Sequence, residues 1–385
     1  MEKRDSLKRL GIIAVLEHQP WGGSEELWTQ AASVLLQKGI QVDVITRDWN
    51  TPVEVHQTLE KQGATFFRHR PEFAGRWFVR TLTQKGFSLP WTREASVAWM
   101  KQRSPDMVLV SQTCNWDGLD WMMRLKKAGI PYASLSHAAS EFFSPDDSQR
   151  EPLRSVLQAS QANFYVSEAN RRLTELQIAM DIPRASLVRN PIKVNRSQGV
   201  AWPEKESPLV LGCPARYDLQ DKGQDLLLQV LAQKKWKERA LEVRFYGAGK
   251  NEKNLRDLIE YLGVPQAKVI GYEGDLKKIW NSSHALVMTS RVEGLPISIV
   301  EAMISGRACA VTRAGGNAEL IEEGQEGWIA EFPEVGEIDR MLEKLWSQRD
   351  QCQAMGERAR QRALQMIPEN PAETFAESLQ GVVTR

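Results

Sequence analysis

Short apolar runs alternate with stretches of helical periodicity along most of the chain. In the first half these runs predict β-strands near Leu10–Leu16, Ile40–Thr46, Met107–Ser111, Tyr132–Ser136 and Asn163–Ser167, with helices such as Ser24–Lys38 and Trp116–Ala128 between them. A second series of strands is predicted near Pro208–Cys213, Leu241–Gly247, Lys268–Gly271, His284–Thr289 and Ala308–Thr312. Strands that are continuously apolar are typical of a parallel sheet covered by helices on both faces. The pattern therefore predicts an α/β protein with two Rossmann-like, doubly wound domains.

A polar stretch separates the two series of strands. Between Asn190 and Pro208, serine, charged residues and prolines replace the periodic pattern, as in a linker. We predict an N-terminal domain at residues 1–192 and a C-terminal domain at residues 193–366. The tail has a helical pattern broken by Pro368 and Pro371. We expect a final helix within residues 367–385 to pack on the N-terminal domain.

The segment Lys61–Arg103 departs from the α/β rhythm. Nine lysines and arginines against two glutamates give it a net charge of +7, and aromatic residues lie between the charges. One interpretation is a solvated basic face above core aromatics. The other is peripheral contact with an anionic membrane, because basic residues are attracted to such a surface and tryptophan anchors at it.

Composition and the absence of targeting signals in the sequence argue against a nucleic-acid-binding protein, a metalloprotein and a membrane-spanning protein. The formal net charge is +1 over 385 residues, so the whole molecule has no field that would attract nucleic acid. The four cysteines are far apart, and neither they nor the five histidines have metal-binding spacing. This indicates a reducing compartment and predicts no metal site. The apolar run Leu10–Leu16 is too short for a signal peptide or a membrane span. We expect a cytoplasmic protein that at most lies on the cytoplasmic face of a membrane.

The segment Glu293–Met303 carries the strongest chemical signal. It follows the predicted strand His284–Thr289 and begins a helix whose first residue is expected to be Pro296. Parallel sheets bind ligands at the carboxyl ends of their strands, and free amides at a helix start suit phosphate or sugar oxygens. Glu301 falls on the helix face that should be apolar. A buried carboxylate needs hydrogen-bond donors, which a ribose diol or an internal salt bridge would supply.

Glu293 and Glu301, within the pattern E-G-x-P-x4-E-A-M, resemble the paired glutamates of glycosyltransferase family 4. The resemblance extends from residue 10 to about residue 330 and is denser in the second half. It implies a retaining enzyme of the GT-B type, in which two Rossmann-like domains face each other. It also implies that Glu301 holds the donor ribose and that Glu293 contacts the transferred sugar. The start of the helix would bind the donor through Gly294, Leu295, Ile297 and Ser298.

A second motif lies after the predicted strand Pro208–Cys213. Arg216 and Lys222-Gly223 resemble the arginine and the lysine-glycine pair that hold the donor diphosphate in the family, although Ala215 stands where the family commonly has glycine. Two cations and a helix N-terminus suit negative charge that develops on a leaving group. An isolated arginine or lysine with this spacing is more often a solvated surface charge.

Two further elements lie in the first half of the chain. Gly22 and Gly23 resemble the family's glycine pair, whose backbone approaches the donor phosphates, and glycine permits both that approach and a tight turn. The alternative is a plain loop in which Ser24 caps the next helix. His137 ends the strand Tyr132–Ser136, where family members often place a histidine that faces the donor sugar. The alternative is a structural histidine at a strand end.

The resemblance implies transfer of a sugar, most simply a hexose, from a nucleoside diphosphate sugar to a hydroxyl group with retained anomeric configuration. The acceptor would be a glycan, a lipid-linked or a small molecule in polysaccharide or glycolipid biosynthesis. His137 and Glu293 are the expected catalytic residues. No residue is an evident covalent nucleophile, and the resemblance implies that the departing diphosphate assists the acceptor hydroxyl. We expect no cofactor, and a UDP-sugar is favoured over a GDP-sugar as co-substrate.

Two alternative functions remain open at this point. A nucleotide-sugar epimerase shares the architecture and would convert the donor without an acceptor. A non-catalytic sugar-binding protein would bind without turnover. A dehydrogenase is disfavoured, because no G-x-G-x-x-G follows either first strand.

Overall fold

The computed structural model describes residues 6–16, 19–70, 92–197, 199–204 and 208–384. The chain divides into two compact units, one formed by Met1–Pro191 with Asn370–Arg385 and the other by Ile192–Glu369. No helix in the described part of the chain is long and apolar enough to cross a membrane.

The first unit is built on a parallel sheet with the strand order β3-β2-β1-β4-β5-β6-β7. Its strands are β1 (Arg9–Ala14), β2 (Gln41–Arg47), β3 (Thr65–His69), β4 (Met107–Gln112), β5 (Tyr132–Ser136), β6 (Asn163–Tyr165) and β7 (Ala185–Leu187). The described helices of its first stretch are α1 (Gly23–Gln37), α2 (Glu54–Lys61), α3 (Arg93–Arg103), α4 (Leu119–Ala128), α5 (Asp147–Ala159) and α6 (Glu168–Ile178).

The second unit has a parallel sheet with the order β10-β9-β8-β11-β12-β13. Its strands are β8 (Leu209–Pro214), β9 (Leu241–Tyr246), β10 (Ala267–Gly271), β11 (Ala285–Met288), β12 (Ala308–Thr312) and β13 (Gly327–Ala330). Its helices are α7 (Leu219–Lys222), α8 (Gln224–Leu231), α9 (Lys234–Lys237), α10 (Glu252–Leu262), α11 (Leu276–Asn281), α12 (Ile297–Ile304), α13 (Asn317–Leu320), α14 (Val335–Ser347) and α15 (Cys352–Met366), with a 3-10 turn at Arg349–Gln351.

Both sheets have the order expected of a Rossmann fold, in which the chain winds outward from a central pair of strands in both directions. Central strands such as β4, β5 and β12 are buried along their whole length, which is why most of their residues are apolar or small. The predicted fold class, two doubly wound α/β domains, is confirmed. Each sheet has a switch point at the carboxyl edge, between β1 and β4 in the first unit and between β8 and β11 in the second.

The sequence analysis predicts that Lys61–Arg103 departs from the alternation of strands and helices. For the described parts of this segment, that prediction is wrong. They contain the edge strand β3 and the helix α3. The strands β7 and β13 were also not predicted. Strand β3 is only partly buried, and β7 and β13 are three and four residues long. Short or edge strands lack the long apolar run by which the others were predicted.

The last helix of the chain, α16 (Pro371–Val383), packs on α1 of the first unit. Pro371 is its first residue, a position where proline is tolerated because the amide there would have no helical partner. The ring of Phe375 meets Phe164 of β6 edge to face, with centroids 5.2 Å apart. The expectation that the final helix returns to the N-terminal domain is confirmed.

Candidate functional site

The loops after β8 and β11 bring two of the predicted residues together. Lys222 ends α7, and its Nζ donates to Glu293 Oε1 over 2.8 Å. Ser290 Oγ donates to the same oxygen over 2.7 Å. The side chains of Lys222 and Glu293 are only 15% and 7% exposed. Glu293 is therefore a buried carboxylate neutralised by one cation, and a diphosphate entering this edge would compete with it for Lys222.

Two glycines allow the loops to approach this closely. Gly223 has φ +62°, and a Cβ there would lie 2.0 Å from the carbonyl oxygen of Thr289. Gly315 has φ +47°, and a Cβ there would lie 2.2 Å from the carbonyl oxygen of Glu293. Because any other residue would be strained and would push the neighbouring backbone away, both glycines fix the position of the Lys222–Glu293 pair.

An ion pair that was not predicted from the sequence links the loop after β11 to the first turn of α8. Arg291 donates through both terminal nitrogens to Asp225, over 2.9 and 2.8 Å, and its Nη1 also donates to the Leu219 carbonyl over 2.7 Å. The amide of Arg291 donates to the Asp221 carbonyl over 2.8 Å. This bidentate geometry fixes orientation as well as distance. The feature of the sequence that could have indicated this ion pair is the position of Arg291 two residues before Glu293.

The helix start after Glu293 differs by one residue from the prediction. Pro296 is the N-cap of α12 with an extended ψ of 123°, and Ile297 is the first helical residue. Within the described chain, the amides of Ile297, Ser298 and Ile299 donate to no protein acceptor, as expected for a first helical turn. Ile297 and Ser298 are partly exposed, whereas Leu295 is buried. Gly294 accepts a 2.7 Å hydrogen bond from the Gly316 amide, which ties this turn to the loop after β12.

Glu301 is buried, as its place on the apolar helix face predicted. The backbone amide of Lys193 donates to its Oε1 over 3.1 Å. Part of the hydrogen bonding that a buried carboxylate needs is thus supplied by the start of the linker. Glu301 has further interactions besides this hydrogen bond.

The guanidinium group of Arg216 is half exposed and only loosely paired. Its Nη2 lies 3.9 Å from Asp221 Oδ2. Its backbone carbonyl accepts from Gln224 Nε2 over 2.7 Å, so the main chain is fixed while the side chain extends towards solvent. Burial and the neighbouring Asp218 raise the pKa of the Asp221 carboxyl.

The first unit places Gly22 and Gly23 at the start of α1. Gly22 is the N-cap in extended conformation, with φ −160°, and neither glycine has a positive φ. A Cβ on Gly22 would lie 2.8 Å from Gln19 Nε2, which is the end of a flexible side chain and can move aside, so packing within the protein does not require glycine here. The alternative cap, Ser24, lies inside the helix and does not cap it. Gly23 is exposed and open to a ligand.

Glu25, in the first turn of α1, is a second residue that sequence reasoning missed. It is buried and accepts a 2.9 Å hydrogen bond from Trp28 Nε1. Burial raises the pKa of its carboxyl to about 7, and the hydrogen bonds from Trp28 and Ser24 only partly offset this. The carboxyl therefore titrates near neutral pH two residues from Gly23.

His137 follows β5 directly and is buried. Its Nε2 lies 3.5 Å from Ser111 Oγ at the end of β4, and its buried Nδ1 has no hydrogen-bond partner within the described protein. Burial lowers the pKa of the imidazole to about 3. The ring is therefore neutral at physiological pH and can donate or accept a hydrogen bond, but it carries no charge.

The basic segment Lys61–Arg103 is described only at its two ends, because residues 71–91 lie outside the described ranges. Four of its arginines form ion pairs with carboxylates: Arg68 with Glu60, Arg70 with Asp48, Arg93 with Asp120 and Arg103 with Asp43. The rings of Phe67 and Trp99 pack 5.4 Å apart. At both described ends, much of the charge is balanced, and these two partly buried aromatics pack against the core of the first unit.

The predicted residues thus fall into two groups, one in each unit. The second unit holds Arg216, Lys222, Glu293 and Glu301 with the start of α12, all near the carboxyl edge at its switch point. The first unit holds Gly22, Gly23 and His137 at the equivalent edge. Among the described residues, no group of three or more His, Cys, Asp or Glu could hold a metal ion.

Comparison with known proteins gives a family match within the second half of the chain. Residues 197–362 match the family model described as glycosyl transferases group 1. The chain is 26% identical over 174 residues to EpsD of Bacillus subtilis (strain 168), named as a glycosyltransferase, which covers 45% of each protein. It is 30% identical over 131 residues to an uncharacterized glycosyltransferase of Haemophilus influenzae, covering 32% of this chain and 36% of that protein. The chain thus spans less than half the length of these curated relatives.

Among solved structures, the chain is similar to Anabaena Alr3699/HepE in complex with UDP. The TM-score is 0.74 at 18% sequence identity, and the match covers 97% of this chain and 99% of that chain. The same Anabaena protein has also been solved with UDP-glucose, and that structure matches with a TM-score of 0.68. A similarity of this kind establishes the fold, and it confirms the GT-B fold class expected from the sequence.

Proposed function

We propose, from the membership of residues 197–362 in the glycosyl transferases group 1 family, that this protein transfers a sugar from a nucleoside diphosphate sugar to an acceptor hydroxyl. The buried Lys222–Glu293 pair carries the proposal, because it places a cation and a carboxylate side by side at the ligand-binding edge of the sheet. The diphosphate binds Arg216 and Lys222, and Glu293, released from Lys222, accepts hydrogen bonds from the sugar.

The remaining predicted residues complete the donor site. Glu301 holds the ribose, and the amides at the start of α12 bind oxygens of the sugar or the phosphate. Gly22 and Gly23 offer backbone amides to the diphosphate from the first unit. Because the imidazole of His137 is neutral, its part is hydrogen bonding to a sugar hydroxyl rather than charge stabilisation.

The reaction retains the anomeric configuration without a covalent intermediate. Arg216 and Lys222 stabilise the negative charge on the departing diphosphate, which accepts the proton of the acceptor hydroxyl. Glu293 is paired with Lys222 and Ser290, an arrangement that suits sugar contacts better than nucleophilic attack. The donor is a UDP-sugar, in keeping with the UDP and UDP-glucose complexes of the Anabaena protein.

Donor binding provides the first test. Thermal shift with UDP, GDP and ADP and their sugars identifies the donor, and calorimetry then measures its affinity. Since charge-assisted hydrogen bonds contribute ~1.5–3 kcal/mol each, Arg216→Ala and Lys222→Ala should each weaken nucleoside diphosphate binding about tenfold or more. Lys234→Ala, on an exposed lysine of α9, is the control. Unchanged affinity in both site variants would contradict the proposal.

Turnover then separates the transferase from its alternatives. A transferase forms a new glycosidic bond or hydrolyses its donor slowly, an epimerase converts the donor sugar alone, and a binding protein does neither. Retention is read from the anomeric proton of the product by NMR.

Peripheral membrane contact through residues 61–103 is a separate part of the proposal. The net charge of +7 in the sequence supports membrane contact. The ion pairs at both described ends argue against it, because they balance part of this charge. Co-sedimentation with anionic vesicles at low salt tests membrane contact. If the protein does not bind the vesicles, the proposed contact is wrong.

A further inference from the structure

The loop between β5 and α5 presents two adjacent phenylalanines to solvent. Phe142 is 63% exposed and Phe143 is 43% exposed. Exposed neighbouring aromatics on a single loop are unusual for a surface that contacts only water. The loop begins with His137, so the pair lies at the same edge of the first sheet as the proposed sugar contact.

The backbone of this loop is held rigidly. The carbonyl of Phe143 accepts from Trp116 Nε1 over 3.2 Å and from Gln177 Nε2 over 3.3 Å. Gln177 Nε2 also donates to the Ser140 carbonyl over 2.8 Å. The buried Asn115 orients Gln177 by donating to its Oε1 over 2.7 Å.

The far end of the loop is fixed as well. Asp146 and Gln149 form a capping box at the start of α5, in which Asp146 Oδ1 accepts from the Gln149 amide over 3.1 Å. The Phe142 amide donates to Ser140 Oγ over 3.2 Å. Trp116 in the loop after β4 and Gln177 at the end of α6 thus hold the backbone beneath two rings that the described protein leaves uncovered. Such preorganisation lowers the entropy cost of binding a ligand.

Charge restricts what covers the rings. Residues 138–151 contain four acidic residues and one arginine, a net charge of −3. An anionic lipid surface or a phosphate would be repelled here. An uncharged pyranose ring is not, and its C–H groups carry partial positive charge that suits the negative face of an aromatic ring.

We propose that Phe142 and Phe143 form a stacking platform for a pyranose ring of the acceptor. This rests on the proposed function, since it assigns the acceptor of that reaction to a sugar-bearing molecule. Both a free sugar and a lipid-linked sugar fit the platform, because it contacts only the pyranose ring.

The test measures binding of soluble probes by saturation-transfer NMR and calorimetry. The probes are methyl and octyl pyranosides of glucose, galactose and N-acetylglucosamine, with tetraethylene glycol monooctyl ether as an octyl chain without a ring. We expect at least one pyranoside to bind with saturation of its ring protons. Binding should fall about tenfold or more in Phe142→Ala and in Phe143→Ala, remain in Phe142→Tyr, and fall in Phe142→Leu, which keeps apolar area but not an aromatic face.

Leu176→Ala is the matched control, because Leu176 is 78% exposed on α6 of the same unit, and it should bind like the wild type. UDP affinity, measured in parallel, should be equal in all variants. If the wild type does not bind UDP, the proposed donor site is rejected, whereas the proposed aromatic platform is not affected by that result. The platform is rejected if no pyranoside binds, or if the alanine variants bind as the wild type does. It is also rejected if the ring-free ether or anionic vesicles bind and lose binding in Phe142→Ala.

Discussion

The side chains of Lys222 and Glu293 illustrate why residue type alone gave an incomplete assignment. The sequence placed them separately, at the diphosphate and at the sugar, whereas they form one buried ion pair. Removing one member of such a pair leaves the other charge buried and unpaired, which is costly. Variants of either residue therefore report on both, and substitutions that keep shape and remove charge are the informative ones.

The two glutamates should have different roles. Glu301→Gln should weaken binding of the bare nucleoside diphosphate about tenfold, because the carboxylate would contact the ribose. Glu293→Gln should leave that affinity equal or higher, since Lys222 is released, while turnover falls about a hundredfold. Calorimetry and steady-state rates measure both. Glu326→Gln is the control, a buried glutamate that accepts from the Glu322 amide. Identical defects in the two site variants would argue against distinct roles.

His137 should act as a neutral hydrogen-bonding group. His137→Ala should lower turnover about a hundredfold while nucleoside diphosphate affinity stays within about threefold. Since burial lowers the imidazole pKa to about 3, the ratio of wild-type to variant rates should be constant from pH 5 to pH 8. His137→Gln, which keeps a neutral donor and acceptor, should recover part of the rate. Full activity of His137→Ala would make the residue structural.

Glu25 should make the stability of the protein depend on pH. Burial raises its carboxyl pKa from 4.5 to about 7, so the folded state retains a proton that the unfolded chain has already lost. The contribution is therefore present below pH 4.5 and is lost as the pH rises to 7, a change of about 3 kcal/mol. Urea unfolding of the wild type should show this loss, and Glu25→Gln should lack it. Parallel pH profiles of the two proteins would contradict the assignment.

At the scale of elements, Arg291 and Asp225 join the loop after β11 to the first turn of α8. Arg291→Lys keeps the charge but loses the bidentate geometry, so Lys222 and Glu293 should lose their alignment and turnover should fall about tenfold or more. Asp225→Asn should have a similar effect, and the double variant should be no worse than either single one. Arg256→Lys, on an exposed ion pair of α10, is the control. Additive losses, or a rate unaffected by Arg291→Lys, would show that the pair is not a positioning element.

At the scale of the whole molecule, the helix α16, which is distant in sequence from the rest of the first unit, packs on that unit and contributes to its core. Phe375→Ala removes a buried ring from the contact with Phe164 and should destabilise the protein by about 3–5 kcal/mol. Glu377→Ala, on the exposed side of the same helix, should have little effect. The measurement is urea unfolding of each variant. Equal stabilities of the two variants would mean that α16 docks without contributing to the core of the first unit.

The sequence by itself determined the α/β class, the order of the central strands along the chain and the edge at which chemistry would occur. Long apolar runs must be buried whatever their neighbours are, and parallel strands must be joined by crossovers, so local pattern was sufficient. The E-G-x-P-x4-E-A-M pattern likewise located Glu293 and Glu301 by a resemblance that needs no coordinates.

Only the tertiary structure decided which charges meet. Lys222 contacts Glu293, and Arg291 pairs with Asp225, although the partners in each pair are far apart in sequence. The burial that raises the Glu25 pKa likewise comes from residues that are distant from Glu25 in sequence. A charge–charge contact depends on distance in space, and burial depends on every element packed around a residue, so neither is encoded in a local pattern. The short edge strands were missed for a related reason, because their stability comes from the neighbouring strand rather than from their own residues.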